Sequence, residues 1–460
     1  MLTTNDSIKA ILKAYIMKEG VSNLFLRNDP FLNEIEMERV EGKTANYAAM
    51  FGRGGAVSGD YQVAQKKAAE NTKNAEFAVE PGQIFSVYSM NAKEVQASLT
   101  QKGAYMKVAG NKLDAATEAF RKTVAAAFYG SGYGEIAKTA AGLTFTADTA
   151  ADITLPESAC YKIDVDSELE IKTALNAAPS VTLTVNSING TTVNVTPDKT
   201  VSDAIAAGAY VCLAGSMKNG KGILPVGLGG WLPIAGGRAD LSAAPYSTEF
   251  FGVTRNVAID RLGGAFYIPA GNESKSASLK KLLRKVRRQG SRADIILMND
   301  ADFEALSTEI ETTNTYLSKV AEGNGKKKAT VGMDKISASA STSFIENIYD
   351  SPACPEGVFY ILDSKAVKLV AYTNADKAKD GIVNNEPGTE ELEDNDGYAK
   401  EAYKLMIDDA IQVVPGITTW EGPATEVSVS LFGSFVITNT AHCGVGLWYN
   451  ANGYSGVLGY

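Results

Sequence analysis

The stretch from Leu113 to Tyr129 constrains this chain more than any other. Its apolar residues, Leu113, Ala116, Phe120, Val124, Ala127 and Phe128, recur at helical spacing, so one stripe of a helix must be covered by a core. Asp114, Glu118, Arg121 and Lys122 fall on the opposite side, with Glu118 three and four residues ahead of the two cations, the favourable order for helix ion pairs. Asn111 is a fitting N-cap, and Gly130 opens the run Gly130-Ser131-Gly132-Tyr133-Gly134, which stops the helix. The reading is a long amphipathic rod that ends abruptly, a spine for what surrounds it.

A spine needs a core, and 460 residues with 45% hydrophobic and 21% charged side chains can supply one. That length predicts about three domains, or one domain with large insertions. The formal charge of −9 argues against a protein whose whole surface grips nucleic acid, and leaves room for a local basic patch. Cys160, Cys212, Cys354 and Cys443 lie far apart without CxxC pairing, which fits reduced core thiols rather than a disulfide framework or a zinc site. The N-terminus shows no signal-peptide pattern and no apolar run reaches membrane-spanning length, so neither a secretory leader nor a membrane anchor is expected.

In chain order, residues 7–19 read as a short amphipathic helix, and 21–35 as an extended arm whose scattered apolar residues must find partners elsewhere. Two strand-like runs, 36–50 and 77–90, flank a glycine-rich segment containing Arg53 and a polar stretch carrying Lys66, Lys67 and Lys73. Such an excursion is too long for a tight hairpin and cannot bury a core of its own. It makes sense if a neighbouring molecule covers it. From 143 to 213 the text turns Thr/Val-rich. Val181–Ile188, Asn189-Gly190 and Thr191–Thr196 predict a hairpin with a type I′ turn, and the region reads as a small all-β insertion. Lys280, Lys281, Arg284, Lys285, Arg287 and Arg288 lie on a basic amphipathic helix ended by Gly290. It has two readings, a solvated or ion-paired face and a contact to phosphate backbone or an acidic partner. An apolar strand, Ala293–Met298, and a helix capped by Asn299 or Asp300 follow, the pattern of an α/β layer. Short strands are expected at 344–349, 358–362 and 367–372, an acidic loop at 386–396, and two strands, 427–432 and 434–437, separated by Gly433.

Little of this carries chemistry. Gly215–Lys221 satisfies most of the phosphate-loop spacing, but Gly222 stands where Ser or Thr is needed and Ile223-Leu-Pro cannot open a helix, so a hairpin turn is expected. Gly130, Gly132 and Gly134 follow a helix rather than a strand, the wrong context for a dinucleotide site. Asp164, Asp166, Glu168 and Glu170 alternate but lack the glycine of a calcium loop, and read as a solvated strand face. His442, the only histidine, adjoins Cys443 in strand-like text, where the two would point to opposite faces. No catalytic set, cofactor site or metal site is assigned.

Several segments, in their order, resemble the major capsid proteins of tailed double-stranded DNA bacteriophages. They are Gly103-Ala-Tyr-Met-Lys-Val-Ala109, the helix with Phe128-Tyr129-Gly130-Ser131-Gly132, and Phe250-Phe251-Gly252-Val-Thr-Arg255-Asn256 with Asp260-Arg261-Leu262-Gly263-Gly264. Ala293–Phe303, Gly332-Met-Asp-Lys-Ile336 and Gly357-Val-Phe-Tyr-Ile-Leu-Asp363 continue the series. The resemblance implies an α+β chain of the Johnson (Hong Kong ninety-seven) fold, and a crAss-like phage is one source it suggests. It divides the chain into an N-terminal arm (1–35), an extended loop (36–90) and a peripheral domain with the spine helix (91–142). The all-β insertion (143–213), a peripheral continuation (214–274), an axial domain (275–400) and C-terminal strands (401–460) follow. It implies a virion shell of hexamers and pentamers assembled in the host cytoplasm. The partners would be portal, scaffolding or maturation protease, cement proteins and non-specifically held DNA. Scaffolding is expected to be separate, or the chain to be already mature, and no lysine crosslink is expected. Arg53, Lys66, Lys67 and Lys73 become candidate inter-subunit contacts, as do Lys326, Lys327 and Lys328 against Glu390, Glu391 and Glu393. The rival readings are a nucleotide-binding enzyme using Gly215–Lys221 and a surface-layer or adhesin-like β protein.

Overall fold

The computed structural model describes residues 30–40, 42–52, 58–67, 73–91, 117–139, 142–234, 250–269, 273–313, 338–340, 343–345, 347–372, 411–414 and 424–448. The expected helix at 7–19, the cap at Asn111, the first turn of the spine, the Lys326–Lys328 triplet and the acidic loop with Glu390, Glu391 and Glu393 lie outside these residues. The chain is mixed α+β; among the described residues the larger sheets have five, six and five strands, and the buried apolar residues form three hydrophobic cores.

The first sheet has the order β1 (Glu36–Arg39), β21 (Val367–Ala371), β23 (Ala424–Ile437), β22 (Ile411–Val414), with β4 (Gly82–Asn91) on the far side of β23. β1 runs parallel to β21, so the start of the chain is locked to a strand more than three hundred residues away, with Met37 opposite Leu369. A 3-10 turn just before it, Pro30–Glu34, drops Phe31 and Leu32 into the core beside Ile35. The last residues of the expected arm thus find their apolar partners in their own subunit. β23 is one 14-residue strand, not two strands broken at Gly433. Gly433 sits opposite both Gly82 and Ala371, where an added Cβ would lie 2.8 Å from the Cβ of Ala371 and 2.9 Å from the Val370 carbonyl oxygen. The glycine marks a crowded crossing rather than a stop.

Against this sheet lies the spine helix, α2, described over residues 117–129, which follows the short α1 (Tyr61–Lys67) in the chain. Phe120, Val124, Phe128 and Tyr129 are buried, and the Phe128 ring meets Phe435 at 4.9 Å and Phe31 at 5.8 Å. Two of the expected polar residues are not free solvent groups: Arg121 is buried, and Lys122 bonds Asp164 at 3.0 Å. A further sheet, β15 (Ala265–Tyr267), β24 (Gly444–Leu447), β20 (Val358–Leu362), β16 (Ile295–Met298) and β19 (Asn347–Asp350), closes the main core from the other side. Alternate residues of β16 and β20 divide between two cores. Ile295, Leu297, Val358, Tyr360 and Leu362 join the spine's core, whereas Ile296, Met298, Phe359 and Ile361 pack with helices α6 (Lys275–Arg288) and α7 (Asp300–Thr313). Covering on both faces is why these strands are unbroken apolar runs in the sequence. α7 is capped as expected, with Asn299 Oδ1 accepting from Ala301 N at 3.0 Å. Beside α6 runs a small hairpin of β17 (Ala338–Ala340) and β18 (Ser343–Ile345).

The insertion has its own core and a six-stranded sheet, β5 (Glu135–Lys138), β12 (Tyr210–Leu213), β8 (Glu168–Lys172), β9 (Val181–Asn189), β10 (Thr192–Pro197) and β7 (Ala151–Thr154). A two-stranded pair, β6 (Leu143–Phe145) with β11 (Val201–Ile205), and the short helix α3 (Glu157–Cys160) complete it. Its sheet starts at Glu135, ahead of the expected 143. The hairpin turn is shifted by one residue. Asn189 pairs with Thr192, so Gly190 and Thr191 are the central residues, and of these only Gly190 has positive φ (59°). Glycine first with positive φ is the type II′ pattern, not the type I′ expected from Asn-Gly. The acidic run is also corrected: only Glu168 and Glu170 are in a strand, while Asp166 takes a left-handed turn (φ 66°).

Candidate self-assembly surfaces

The excursion between the first strand runs is a hairpin of β2 (Ala45–Gly52) and β3 (Lys73–Val79), in register from Ala45 opposite Val79 to Met50 opposite Asn74. Period-two alternation splits it into two faces. Tyr47, Ala49 and Phe51 pack toward the main core with Phe77 and Val79, whereas Asn46, Ala48, Met50, Asn74 and Glu76 face outward. The polar segment beyond Gly59 is not structureless: it forms α1, begun by Asp60 Oδ1 accepting from Gln62 N at 2.9 Å. At this end the side chains are uncovered, with Met50 66%, Tyr61 77% and Val63 41% exposed. Lys66 is exposed on α1, Lys67 is the last residue of α1, and Lys73 is exposed opposite Gly52; Arg53 lies outside the described residues.

The hairpin is held along its inner face, from Ala78 near its root to Phe51 near its far end. Ala78 N donates to Phe251 O at 3.0 Å, and Arg261 Nη1, from α5 (Ile259–Leu262), donates to Phe51 O at 2.6 Å. Phe77 meets Trp231, at the end of α4 (Leu228–Trp231), at 5.2 Å, and Phe250 at 6.3 Å. Phe251 itself is in the left-handed region (φ 49°), which turns its carbonyl toward β3. Arg255, two residues past Val253, is buried. Its Nη1 donates to Gly230 O at 2.9 Å and Trp231 O at 3.2 Å, and its guanidinium lies 4.0 Å from the Phe250 ring centroid. A buried cation holding two carbonyls fixes the turn on which β3 docks.

A second surface lies on β4, which among the described residues pairs only with β23. Its Ile84 points into the core while Phe85 and Val87 are 52% and 58% exposed. Next to them opens a cavity of about 320 Å³ between Gln83–Ser86, the spine residues Ala119, Phe120 and Thr123, and the segments 213–215 and 223–224. The sequence did carry a signal for it, since Ile84, Phe85 and Val87 put apolar residues on both faces of one strand.

The basic helix α6 starts at Ser274, whose side chain accepts from Ala277 N, and buries Leu279, Leu282, Leu283 and Val286. Its cations are not equivalent. Lys281 pairs with Glu273 at 2.7 Å and lies 5.7 Å from the Tyr267 ring; Lys285 Nζ donates to Phe266 O at 2.8 Å and sits 5.4 Å from the same ring. Lys280, Arg284 and Arg288 are exposed, and Arg287 is half-buried.

The spine and the insertion meet at a polar junction. Buried Glu135 accepts from Ser131 N at 2.6 Å, and burial pushes its carboxyl up despite that bond. Burial pushes the Lys162 amine down, partly offset by Cys354, Glu135 and Glu356. Glu356 also accepts from Ser158 N at 3.2 Å.

The other motifs resolve as structure. In Gly215–Lys221 the strands β13 (Met217–Lys218) and β14 (Lys221–Gly222) join through Asn219 (φ 53°) and Gly220 (φ 76°), a type I′ hairpin with no helix after it. His442 lies in a 3-10 turn, not a strand, with Nδ1 3.3 Å from Asp363 Oδ2, and Cys443 is buried beside it. All four cysteines are free thiols. Among the described residues no group of His, Cys, Asp and Glu is placed to hold a metal ion, and no helix is long and apolar enough to cross a membrane.

No protein-family model matches the chain, and no curated protein matches it. Among solved structures it is similar to the capsid asymmetric unit of cyanophage A-1(L), at 13% identity over 91% of each chain with a TM-score of 0.48. It is also similar to a structure from Mycobacterium phage Adephagia, at 9% identity over 92% of this chain and 91% of that one, TM-score 0.40. The holo-SrpI encapsulin complex of Synechococcus elongatus matches at 8% identity over 90% of this chain and 84% of that one, with a TM-score of 0.37.

Proposed function

We propose that this chain is the major capsid protein of a tailed double-stranded DNA phage, a structural subunit that assembles with copies of itself into hexamers and pentamers of an icosahedral shell. The observation that carries the reading is the β2–β3 hairpin. Arg261 and Phe251 hold its backbone as far out as Phe51, yet its outer face and α1 keep Met50, Tyr61 and Val63 in solvent. Exposing large apolar side chains on a rigid projection is unfavourable at roughly 25 cal/mol per Å² unless something covers them. The strip of Phe85 and Val87 with its adjoining cavity offers the complementary surface. A hairpin from one copy seated on the strip of the next is a head-to-tail contact, the kind that forms a ring where its rotation closes. The enzyme reading has lost its phosphate loop to a hairpin.

On this reading Arg53, Lys66, Lys67 and Lys73 lie at the contact with the neighbouring copy. Lys326, Lys327 and Lys328 face Glu390, Glu391 and Glu393 of the adjacent copy around the capsomer axis. Portal, scaffolding or maturation protease and cement proteins are the further partners, the packaged DNA lies within, and the protein belongs to the virion. The test is electron microscopy of purified protein beside Met50→Asp/Tyr61→Asp. Wild type should give shells, tubes or capsomers, and the variant should remain folded, with stability changed by less than about 0.5 kcal/mol because both sites are exposed, yet fail to assemble. A wild type that stays monomeric in every condition, or a variant that assembles normally, overturns the reading.

A further inference from the structure

Resting on the shell reading for the partner's presence, we infer that Lys280, Arg284 and Arg288 on α6, continued by Arg292, form a contact for the phosphate backbone of double-stranded DNA. The three helical cations recur every four residues, so they stand on one face about 6 Å apart along the axis. All three are exposed, as is Arg292 just beyond the end of α6. Their neighbours Lys281 and Lys285 are exposed as well, but their ammonium groups are held on Glu273, Tyr267 and the Phe266 carbonyl. α6 has no acidic residue between Lys275 and Arg288, in a chain whose net charge is −9. A narrow cationic stripe on an otherwise acidic protein attracts a polyanion at one place and repels it elsewhere, which orients the contact. Lys and Arg are the usual donors to phosphate oxygens, contacts that hold a duplex without reading its sequence, and the contact inferred here is of that kind.

The structure thus narrows the six basic residues of the helix to three, and adds one that follows it. Four phosphate contacts predict a log–log salt slope near −3.6, or roughly a 150-fold loss of affinity between about 50 and 200 mM salt. Fluorescence anisotropy with short labelled duplexes of mixed sequence, on unassembled full-length protein, measures this. Lys280→Gln, Arg284→Gln, Arg288→Gln and Arg292→Gln should each reduce the slope by about 0.9, and the quadruple variant should nearly abolish binding. Lys281→Gln/Lys285→Gln should leave the slope unchanged. The inference is overturned if wild type does not bind duplex DNA, if the quadruple variant binds like wild type, or if the Lys281/Lys285 variant loses as much. Assembly, followed separately by microscopy, distinguishes the two ideas. Protein that forms no shells yet shows the stripe-dependent slope refutes the shell reading and supports the contact. A quadruple variant that loses assembly but keeps DNA binding assigns the stripe to a protein partner and overturns the contact.

Discussion

Arg255 shows what a single side chain does here. It sits next to Asn256 in a stretch that looks polar, yet it is 2% exposed and ties Gly230 and Trp231 to the turn on which the hairpin docks. Removing it strands two buried carbonyls and leaves a hole against Phe250. Arg255→Ala should therefore cost roughly 2–4 kcal/mol in denaturant unfolding of unassembled protein, with Arg255→Lys between the two because lysine offers no fork. Glu135 is the opposite case, a buried acid whose carboxyl burial pushes above 4.5. Between that ordinary value and its raised one, the folded state holds the proton more firmly than the unfolded state, so stability falls as pH rises through the window. Glu135→Gln keeps an acceptor for Ser131 and removes the titration. It should match wild type at low pH and exceed it increasingly above pH 4.5, seen in melts of both proteins across pH. Lys162 acts with the reverse sign below 10.5. A difference that does not grow with pH would refute the assignment.

Among the elements, β23 and the hairpin make the clearest contrast. β23 is wedged between β4 on one side and β21 and β22 on the other, and Gly433 lies where those neighbours crowd it. Gly433→Val would place side-chain atoms against backbone, so a loss of about 1–3 kcal/mol and a lower yield of folded protein are expected from thermal melts. An unchanged melting temperature would mean the strands separate more easily than their register suggests. The hairpin has the reverse character, tied on its inner face and open on its outer face and at α1. From the sequence, its strands were legible as strands, since the alternation of Tyr47, Ala49 and Phe51 survives in the structure. That 82–91 leaves the hairpin to become an edge strand of the main sheet was not, because both fates use the same alternation.

On the scale of the whole molecule, the insertion is a second body with its own core, joined to the rest at neighbouring ends. Leu213 N donates to Gly134 O at 2.8 Å, so a short linker can replace everything between them. Replacing 135–213 by a few Gly and Ser residues should leave a soluble, cooperatively folding remainder. It gives up the Lys122–Asp164 pair, worth about 0–1 kcal/mol at a partly exposed site, the Lys122–Tyr161 ring contact, and the bonds donated by Ser131 N to Glu135, Ser158 N to Glu356, Ala214 N to Glu168 and Gly215 N to Glu170. Cutting at 143 instead strands β5, with Ile136 and Ala137 uncovered, and should yield a less stable, aggregating product. Size-exclusion chromatography and circular dichroism of both deletions check this, and equal behaviour would show that β5 does not belong to the insertion's core.

The sequence by itself determined what depends on neighbours within a few turns. The apolar stripe Phe120, Val124, Phe128 makes the spine; the run Val358–Leu362 is buried on both faces; Asn299 caps α7; Asn219-Gly220 turns a hairpin rather than cradling a phosphate. Each follows from helical or strand period, from capping, or from positive φ, all written locally. The tertiary structure alone decided what depends on residues meeting across hundreds of positions. It joined β1 to β21, turned Gly433 from an apparent break into a crossing, sank Phe31 and Arg255 into the core, and divided the cations of α6 into held and open ones. Local pattern says that a residue needs a partner, but which partner is set by packing and charge compensation among distant segments, and these exist only once the chain has closed on itself.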